Sequence, residues 1–165
     1  MKSPVVILGA GPSGLAAAVT LARAGVDVTV VEQREDAGAR YAGNLQMLTN
    51  YPDDCDALGE LRALTGGAAP SVWPQHQAAR YGPGSSAGNA RGEEPFGYLL
   101  MRGPGGDMLD GTLRDAALAA GARFRFGERG DPDEADIVAT GGREVQGVAR
   151  EWYGELDMPD GFTVR

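Results

Sequence analysis

Three glycines near the start of the chain have the spacing of a phosphate-binding turn. They are Gly9, Gly11 and Gly14, and they follow the apolar run 5–8. In such a turn the first glycine permits a sharp reversal, the second lets the backbone approach a pyrophosphate, and the third lets the next helix pack on the strand. The free amides and positive dipole end of that helix would face the phosphate. The predicted dinucleotide-binding residues of this turn are Gly9, Ala10, Gly11, Pro12, Ser13 and Gly14.

An acidic residue follows at the position where a ribose is bound in such folds. Residues 15–24 form an Ala/Leu-rich run closed by Gly25, and the β-rich run 26–31 ends at Glu32, 18 residues after Gly14. A glycine at the end of a helix and β-branched residues in the next run predict a strand–helix–strand unit. A carboxylate at Glu32 would accept hydrogen bonds from the adenosine ribose and repel the additional phosphate of NADP.

The charge and the cysteine content exclude some classes of partner. The chain has 165 residues, a net charge of −8 and a pI near 4.6, which argues against nucleic acid as a ligand. The single cysteine, Cys55, can form no internal disulfide, and we expect a cytoplasmic protein without a signal peptide or a transmembrane segment. An anionic cofactor would therefore be held by local dipoles and a few arginines.

The remaining elements are predicted from periodicity and from breaker residues. We expect an ordered loop at 33–51, a helix at 54–65 whose buried face includes Leu58, Leu61, Arg62 and Leu64, and a helix capped by Asp107 and ended by Gly121. Strand-like runs at 71–81 and 95–101 flank a long turn at 82–94, with Pro74 restricting the first to a sheet edge. A half-exposed strand is expected at 123–126 and a central, buried one at 137–140. Together these elements predict an α/β fold.

The sequence supplies no recognisable catalytic or metal-binding set. The only histidine, His76, has no companion ligands, and Cys55 lies among aspartates that should raise the pKa of its thiol. We therefore assign no catalytic residue and no metal site. A bound cofactor that carries the electron chemistry would need only binding, orientation and tuning from the protein.

Four patches of the sequence resemble flavoproteins of the geranylgeranyl reductase type, within the wider para-hydroxybenzoate hydroxylase group. They are residues 9–14 with 31–34, the loop 38–46, Arg102 followed by 108–120, and the strand-to-glycine segment 135–141. The resemblance implies FAD as the cofactor, with NAD(P)H as a candidate electron donor. Beyond the glycine turn, the cofactor contacts it implies are Glu32, Gln33, Arg40, Gln46, Arg102, Thr140 and Gly141.

The resemblance also implies a domain plan. The expected architecture is a Rossmann-like FAD/NAD(P)-binding domain with a parallel sheet, an inserted β-hairpin, and the start of a second, substrate-binding sheet. The expected boundaries are 1–66 and 104–150 for the two parts of the FAD-binding domain, 67–103 for the hairpin insertion and 151–165 for the start of the substrate domain. Because such enzymes continue beyond this length, we expect the N-terminal half of an enzyme, as a fragment or as a split protein completed by a C-terminal half or partner subunit.

The expected activity is hydride transfer between FAD and a small apolar substrate, such as an isoprenoid or another alkene. Three alternatives remain open at this point. They are an FAD-dependent monooxygenase, an enzyme similar to amine oxidases and desaturases, and an inactive nucleotide-binding module that takes NAD or ADP.

Overall fold

The computed structural model describes residues 3–50, 56–80, 88–142 and 162–164. Its helices are α1 (Pro12–Arg23), α2 (Ala57–Thr65) and α3 (Leu109–Ala119). Its strands are β1 (Val5–Leu8), β2 (Val28–Glu32), β3 (Leu45–Thr49), β4 (Val72–Gln75), β5 (Gln77–Arg80), β6 (Gly88–Arg91), β7 (Gly97–Met101), β8 (Arg123–Phe126), β9 (Ile137–Val138) and β10 (Phe162–Val164). Short 3₁₀ turns occur at Ala39–Tyr41 and Pro132–Glu134.

The site is built on a four-stranded parallel sheet with the order β8-β2-β1-β9. Val5 pairs with Val28 and Leu8 with Val31, so that β1, α1 and β2 form the predicted parallel strand–helix–strand unit. The helix ends where Gly25 adopts a left-handed backbone with a φ of 79°, a conformation that favours glycine. The fold class predicted from the sequence is confirmed.

The strands of the other two sheets lie in three places: at residues 45–49, in the segment 67–103 predicted as a hairpin insertion, and at residues 162–164. One is antiparallel with the order β3-β7-β4, and the other has the order β10-β5-β6, in which β10 pairs with β5 in parallel. Pro74 lies in β4 at the edge of its sheet, as expected for a residue without a backbone N–H. Most of the predicted substrate-domain segment 151–165 lies outside the described residues, as does Cys55.

The core lies between the parallel sheet and its helices. Fully buried members include Ile7 and Val30 from the sheet, Leu15 and Val19 from α1, and Leu100 from β7. Leu113 and Ala117 bury one face of α3 against this cluster, at the predicted helical spacing. No helix in the described part of the chain is long and apolar enough to cross a bilayer.

Five local predictions were wrong. Part of the expected loop 33–51 is strand β3, and part of the expected turn 82–94 is strand β6. Pairing with the distant strand β7 supplies the backbone hydrogen bonds of β3, and pairing with the preceding strand β5 supplies those of β6. The N-cap of α3 is Met108 rather than Asp107. Arg62 is exposed, while Thr65 takes a buried position on α2. Strand β9 has only two residues, lies at the sheet edge among the described strands, and leaves Val138 51% exposed.

Candidate functional site

The glycine turn connects β1 to α1, and its three glycines meet three different surroundings. Gly9 has a φ of 108°, and a Cβ there would lie 2.6 Å from the carbonyl oxygen of Ala139. A Cβ on Gly14 would overlap the carbonyl oxygen of Gly9, whereas one on Gly11 would meet no atom of the described residues within 4 Å apart from its chain neighbours. The turn therefore needs Gly9 and Gly14 for its own packing and leaves open space above Gly11.

The N-terminus of α1 opens onto that space. Gly11 is the N-cap and makes no side-chain capping bond, Pro12 occupies the first turn, and no acidic residue lies in that turn. The first backbone N–H groups of a helix have no partner within the helix, and the helix dipole makes this end favourable for an anion. The turn can thus receive a phosphate group.

Glu32 ends β2 beside the glycine turn. Its Oε2 accepts a hydrogen bond from the backbone N–H of Ala10 at 2.9 Å, and its Oε1 accepts one from the N–H of Arg34 at 2.9 Å. A carboxylate oxygen can accept more than one hydrogen bond, so each oxygen keeps capacity for a ligand hydroxyl. The backbone bonds fix the carboxylate at the end of the strand.

These groups surround one cavity of about 1080 Å³ at the carboxyl ends of β1, β2 and β9. Ligands in open α/β sheets bind at this edge of the strands. Twelve of the thirteen residues predicted as cofactor contacts line the cavity; the exception is Gly14, which is buried in the first turn of α1. The lining residues that sequence reasoning did not place in the contact set include Arg34, Gly38, Tyr41, Arg129 and Gly130.

Three arginines at this cavity are not paired with a carboxylate in the described part of the chain. They are Arg34, Arg40 and Arg129, and all three are exposed. Arg40 lies over the ring of Tyr41, with its guanidinium carbon 5.1 Å from the ring centroid. Arg129 could have been suspected from its position just after β8, which pairs with β2 and so brings residue 129 to the same edge.

Arg102, by contrast, is bound within the protein. Its Nε donates to Oδ2 of Asp110 at 2.7 Å and its Nη2 donates to Oδ1 at 2.8 Å, which forms a two-pronged ion pair. Its Nη1 donates to Oε1 of Gln46 at 2.7 Å, and its guanidinium carbon lies 5.3 Å from the Tyr41 ring centroid. Asp110 is fully buried and Arg102 is 8% exposed.

Helix α3 holds the loop between β2 and β3 against the cavity. A Cβ on Gly38 would overlap the side chain of Asp110, and Gly38 donates from its backbone to the carbonyl oxygen of Ala10 at 3.1 Å. One turn further along the helix, Arg114 pairs with Asp36 at 2.7 Å. The hydrogen bond from Arg114 to Asp36 raises the pKa of Arg114 above its ordinary value.

His76 is not part of this arrangement. It lines a smaller depression with Arg91, Gly92 and Glu93, away from the glycine turn. Within the residues that the structure describes, no group of three or more histidine, cysteine, aspartate and glutamate side chains could hold a metal ion.

Residues 7–53 match the family model of an NAD(P)-binding Rossmann-like domain. The fold of this segment is Rossmann-like. The match runs from the end of β1 through α1 and β2 to the loop and strand that follow, which include the glycine turn, Glu32, Arg40 and Gln46. No curated protein sequence matches the chain closely enough to count as a relative.

Solved structures share the fold over three quarters of the chain. A geranylgeranyl bacteriochlorophyll reductase-like protein from Thermoplasma acidophilum superposes with a TM-score of 0.56 at 23% identity, over 75% of this chain and 30% of that chain. A peptidyl tryptophan dihydroxylase essential for tryptophylquinone cofactor biogenesis gives 0.50 at 27% identity, over 75% and 25%. A 2-methyl-3-hydroxypyridine-5-carboxylic acid oxygenase gives 0.52 at 19% identity, over 77% and 32%.

The chain spans about a third or less of the length of each of these structures. At these identities the likeness concerns the fold. It confirms, at that level, the resemblance to proteins of the geranylgeranyl reductase type that the four sequence patches indicated.

Proposed function

We propose that this chain is the FAD-binding portion of a flavin-dependent oxidoreductase. The observation that carries the proposal is the cavity itself, because it joins the open glycine turn, the fixed carboxylate of Glu32 and three arginines that pair with no carboxylate among the described residues, all at one edge of the parallel sheet. FAD carries an adenosine ribose, two phosphates and a ribityl chain in that order, and the carboxylate suits the ribose hydroxyls while the turn and the arginines suit the phosphates.

The fit of the residues to the cofactor can be argued group by group. Gly11 would receive the pyrophosphate, because apart from its chain neighbours no described residue occupies the space that a side chain there would take. Glu32 would bind the adenosine ribose, since its oxygens retain accepting capacity after their two backbone bonds. Arg40 would supply a cation for the phosphates, and Thr140 and Gly141 would contact the cofactor from the end of β9. Gln33 and Gln46 complete the proposed contacts, and Arg102 adjoins them through its bond to Gln46.

When bound, the flavin would supply hydride transfer with a substrate, and the residues of this chain would bind and orient it. The proposed substrate is apolar. The outward face of the antiparallel sheet supports this choice, because Trp73, Leu99 and Met47 are paired across three strands on the face opposite buried Leu100. Trp73 is 51% exposed there.

The direct test is an absorbance spectrum of the purified chain after incubation with FAD and gel filtration. Flavin bands that elute with the folded protein support the proposal. Folded protein that elutes without flavin, and that shows no FAD binding by calorimetric titration, would overturn it. NAD(P)H is the proposed reductant, and anaerobic bleaching of the bound flavin by NADH or by NADPH tests that second step.

A second candidate is a nicotinamide dinucleotide bound in the same turn. It is favoured by the match of residues 7–53 to an NAD(P)-binding domain. Glu32 would then favour NAD over NADP, since a carboxylate beside the ribose repels an added phosphate. Competitive titration decides between the two cofactors: the FAD proposal requires tighter binding of FAD than of NAD, and the second candidate requires the reverse.

A further inference from the structure

The Gln46 side chain is held in one orientation by Arg102. Arginine carries hydrogen-bond donors and no acceptor, so the amide oxygen of Gln46 must face Arg102 Nη1, as observed at 2.7 Å. The NH₂ group of the same amide is consequently turned away from Arg102. In the part of the chain that the structure describes, this NH₂ group makes no hydrogen bond, and Gln46 is exposed where it lines the cavity.

Arg102 is held in turn by Asp110. Three of its five N–H groups donate within the protein, two of them to the fully buried Asp110 carboxylate and one to Gln46. Asp110 also accepts from the backbone N–H of Gly103 at 2.9 Å, which fixes the carboxylate. The charge of Arg102 is therefore compensated by a carboxylate at 2.7 Å, unlike the charges of Arg34, Arg40 and Arg129.

We propose that Arg102 is a positioning residue whose task is to turn the NH₂ group of Gln46 toward the cavity, where it donates to a hydrogen-bond acceptor of the dinucleotide beyond its ADP portion. This inference rests on the proposed FAD binding. It revises the expected role of Arg102 from a direct cofactor contact to the middle of a hydrogen-bonded chain that runs from Asp110 through Arg102 to Gln46. We then assign direct anion binding to Arg34, Arg40 and Arg129, which pair with no carboxylate among the described residues.

The position of Gln46 in the fold supports a contact with the dinucleotide beyond its ADP portion. The groups assigned to ADP, Glu32 and the glycine turn, belong to the parallel sheet and α1. Gln46 belongs to β3 of the antiparallel sheet, which pairs with β7 and meets the cavity at the end that carries Arg102. A ligand that contacts Glu32 and Gln46 together must therefore extend past the parallel sheet.

The test uses the full chain and two probes, FAD and ADP, with Gln46→Met as the first variant. Methionine keeps the length of the side chain and removes the amide. We expect the affinity for FAD to fall by about 2- to 10-fold, the effect of one hydrogen bond, with the affinity for ADP unchanged. Gln77→Met is the matched control, because Gln77 lies in β5 away from the cavity and should leave both affinities unchanged.

A double-mutant cycle then separates positioning from direct contact. Lysine at position 102 keeps a positive charge beside Asp110 but lacks the planar fork that bonds both carboxylate oxygens and Gln46. If Arg102 acts through Gln46, Arg102→Lys weakens FAD binding in the native background and adds no further loss in the Gln46→Met background. Thermal unfolding of each variant reports any purely structural cost separately.

Each other outcome overturns a stated part of the reasoning. Unchanged FAD affinity in Gln46→Met, or an equal loss of FAD and ADP affinity, contradicts the role given to Gln46. An equal loss from Arg102→Lys in both backgrounds contradicts the positioning role and shows direct contact with the ligand. A native chain that binds ADP but not FAD overturns the proposed function and this inference with it, which distinguishes that failure from the first two.

Discussion

Replacing Gly11 by valine should abolish nucleotide binding while leaving the fold intact. Gly11 has a φ of −88° and a ψ of 177°, an extended conformation that any residue adopts. Removing a glycine at such a position stabilises a protein by about 0.4 to 1 kcal/mol through the unfolded state. Valine is a poorer N-cap than glycine by a similar amount, so the two effects nearly cancel. We expect a melting temperature within about 4 °C of the native value.

The effect on binding should be large, because the added side chain enters the open space above the turn. Among the described residues, no atom beyond the chain neighbours of Gly11 lies within 4 Å of a Cβ at this position, so we expect the side chain to displace ligand rather than protein. Displacing the phosphate from the helix amides loses at least two hydrogen bonds to a charged group, each worth about 1.5 to 3 kcal/mol. A loss of about 3 kcal/mol corresponds to a roughly 100-fold or greater decrease in affinity.

The assay is calorimetric titration with ADP and with FAD, accompanied by thermal unfolding of the same samples. Gly106→Val is the matched control, since Gly106 lies outside the cavity and a Cβ there makes only an ordinary contact 3.7 Å from Asp115. Gly14→Ala supplies the opposite case: its Cβ overlaps the Gly9 carbonyl, so it should lower the melting temperature. Native-like ADP affinity in Gly11→Val would refute the placement of the phosphate.

Three further predictions concern the charged groups around the cavity. Glu32→Gln should weaken NAD binding and reduce the preference for NAD over NADP, because the repulsion of the 2′-phosphate is removed. Parallel titrations with both dinucleotides measure the ratio of the two affinities, and an unchanged ratio would exclude a ribose contact. Asp110→Asn should lower the free energy of unfolding by about 3 to 5 kcal/mol in urea denaturation, because it leaves Arg102 charged without its buried partner. Arg114→Gln should cost less than about 1 kcal/mol, since its partner Asp36 is partly exposed. Because the pKa of Arg114 is raised, its contribution to stability is complete at neutral pH and is lost only as the pH rises through that pKa in strong alkali. The difference in stability between the native and variant chains should therefore stay the same when the pH is raised from neutral to mildly alkaline.

The glycine turn and Glu32 were predictable because their roles are local. Two demands arise within six residues: Gly9 has a φ of 108°, which favours glycine, and a Cβ on Gly14 would overlap the Gly9 carbonyl. The close approach of Ala139 to Gly9 is a third demand, which depends on distant residues. The fold class follows from the same unit, since a strand–helix–strand crossover produces parallel pairing. The location of Gln46 and Arg102 on the cavity was anticipated only through the resemblance to a known family.

The parts that local sequence did not reveal depend on distant pairing. Strand β3 has three exposed residues among its five. Its buried and exposed positions do not alternate, as they do in a half-buried strand. It is a strand because β7, about fifty residues later, supplies its hydrogen bonds, with Gln46 opposite Leu100. Arg129 also reaches the cavity through long-range strand pairing, since it follows β8, which pairs with β2.

The arginines at the cavity show why residue type alone does not assign a role. Arg40 and Arg102 look equivalent in the sequence, as cations in an acidic chain of net charge −8. The structure gives Arg102 a buried carboxylate at 2.7 Å, whereas Arg40 rests on the Tyr41 ring. Distant acidic groups are screened over about 8 Å at physiological ionic strength, so a bound phosphate responds mainly to nearby charges. The acidic protein can therefore offer an anion site, and the cations that create it are those that no carboxylate holds.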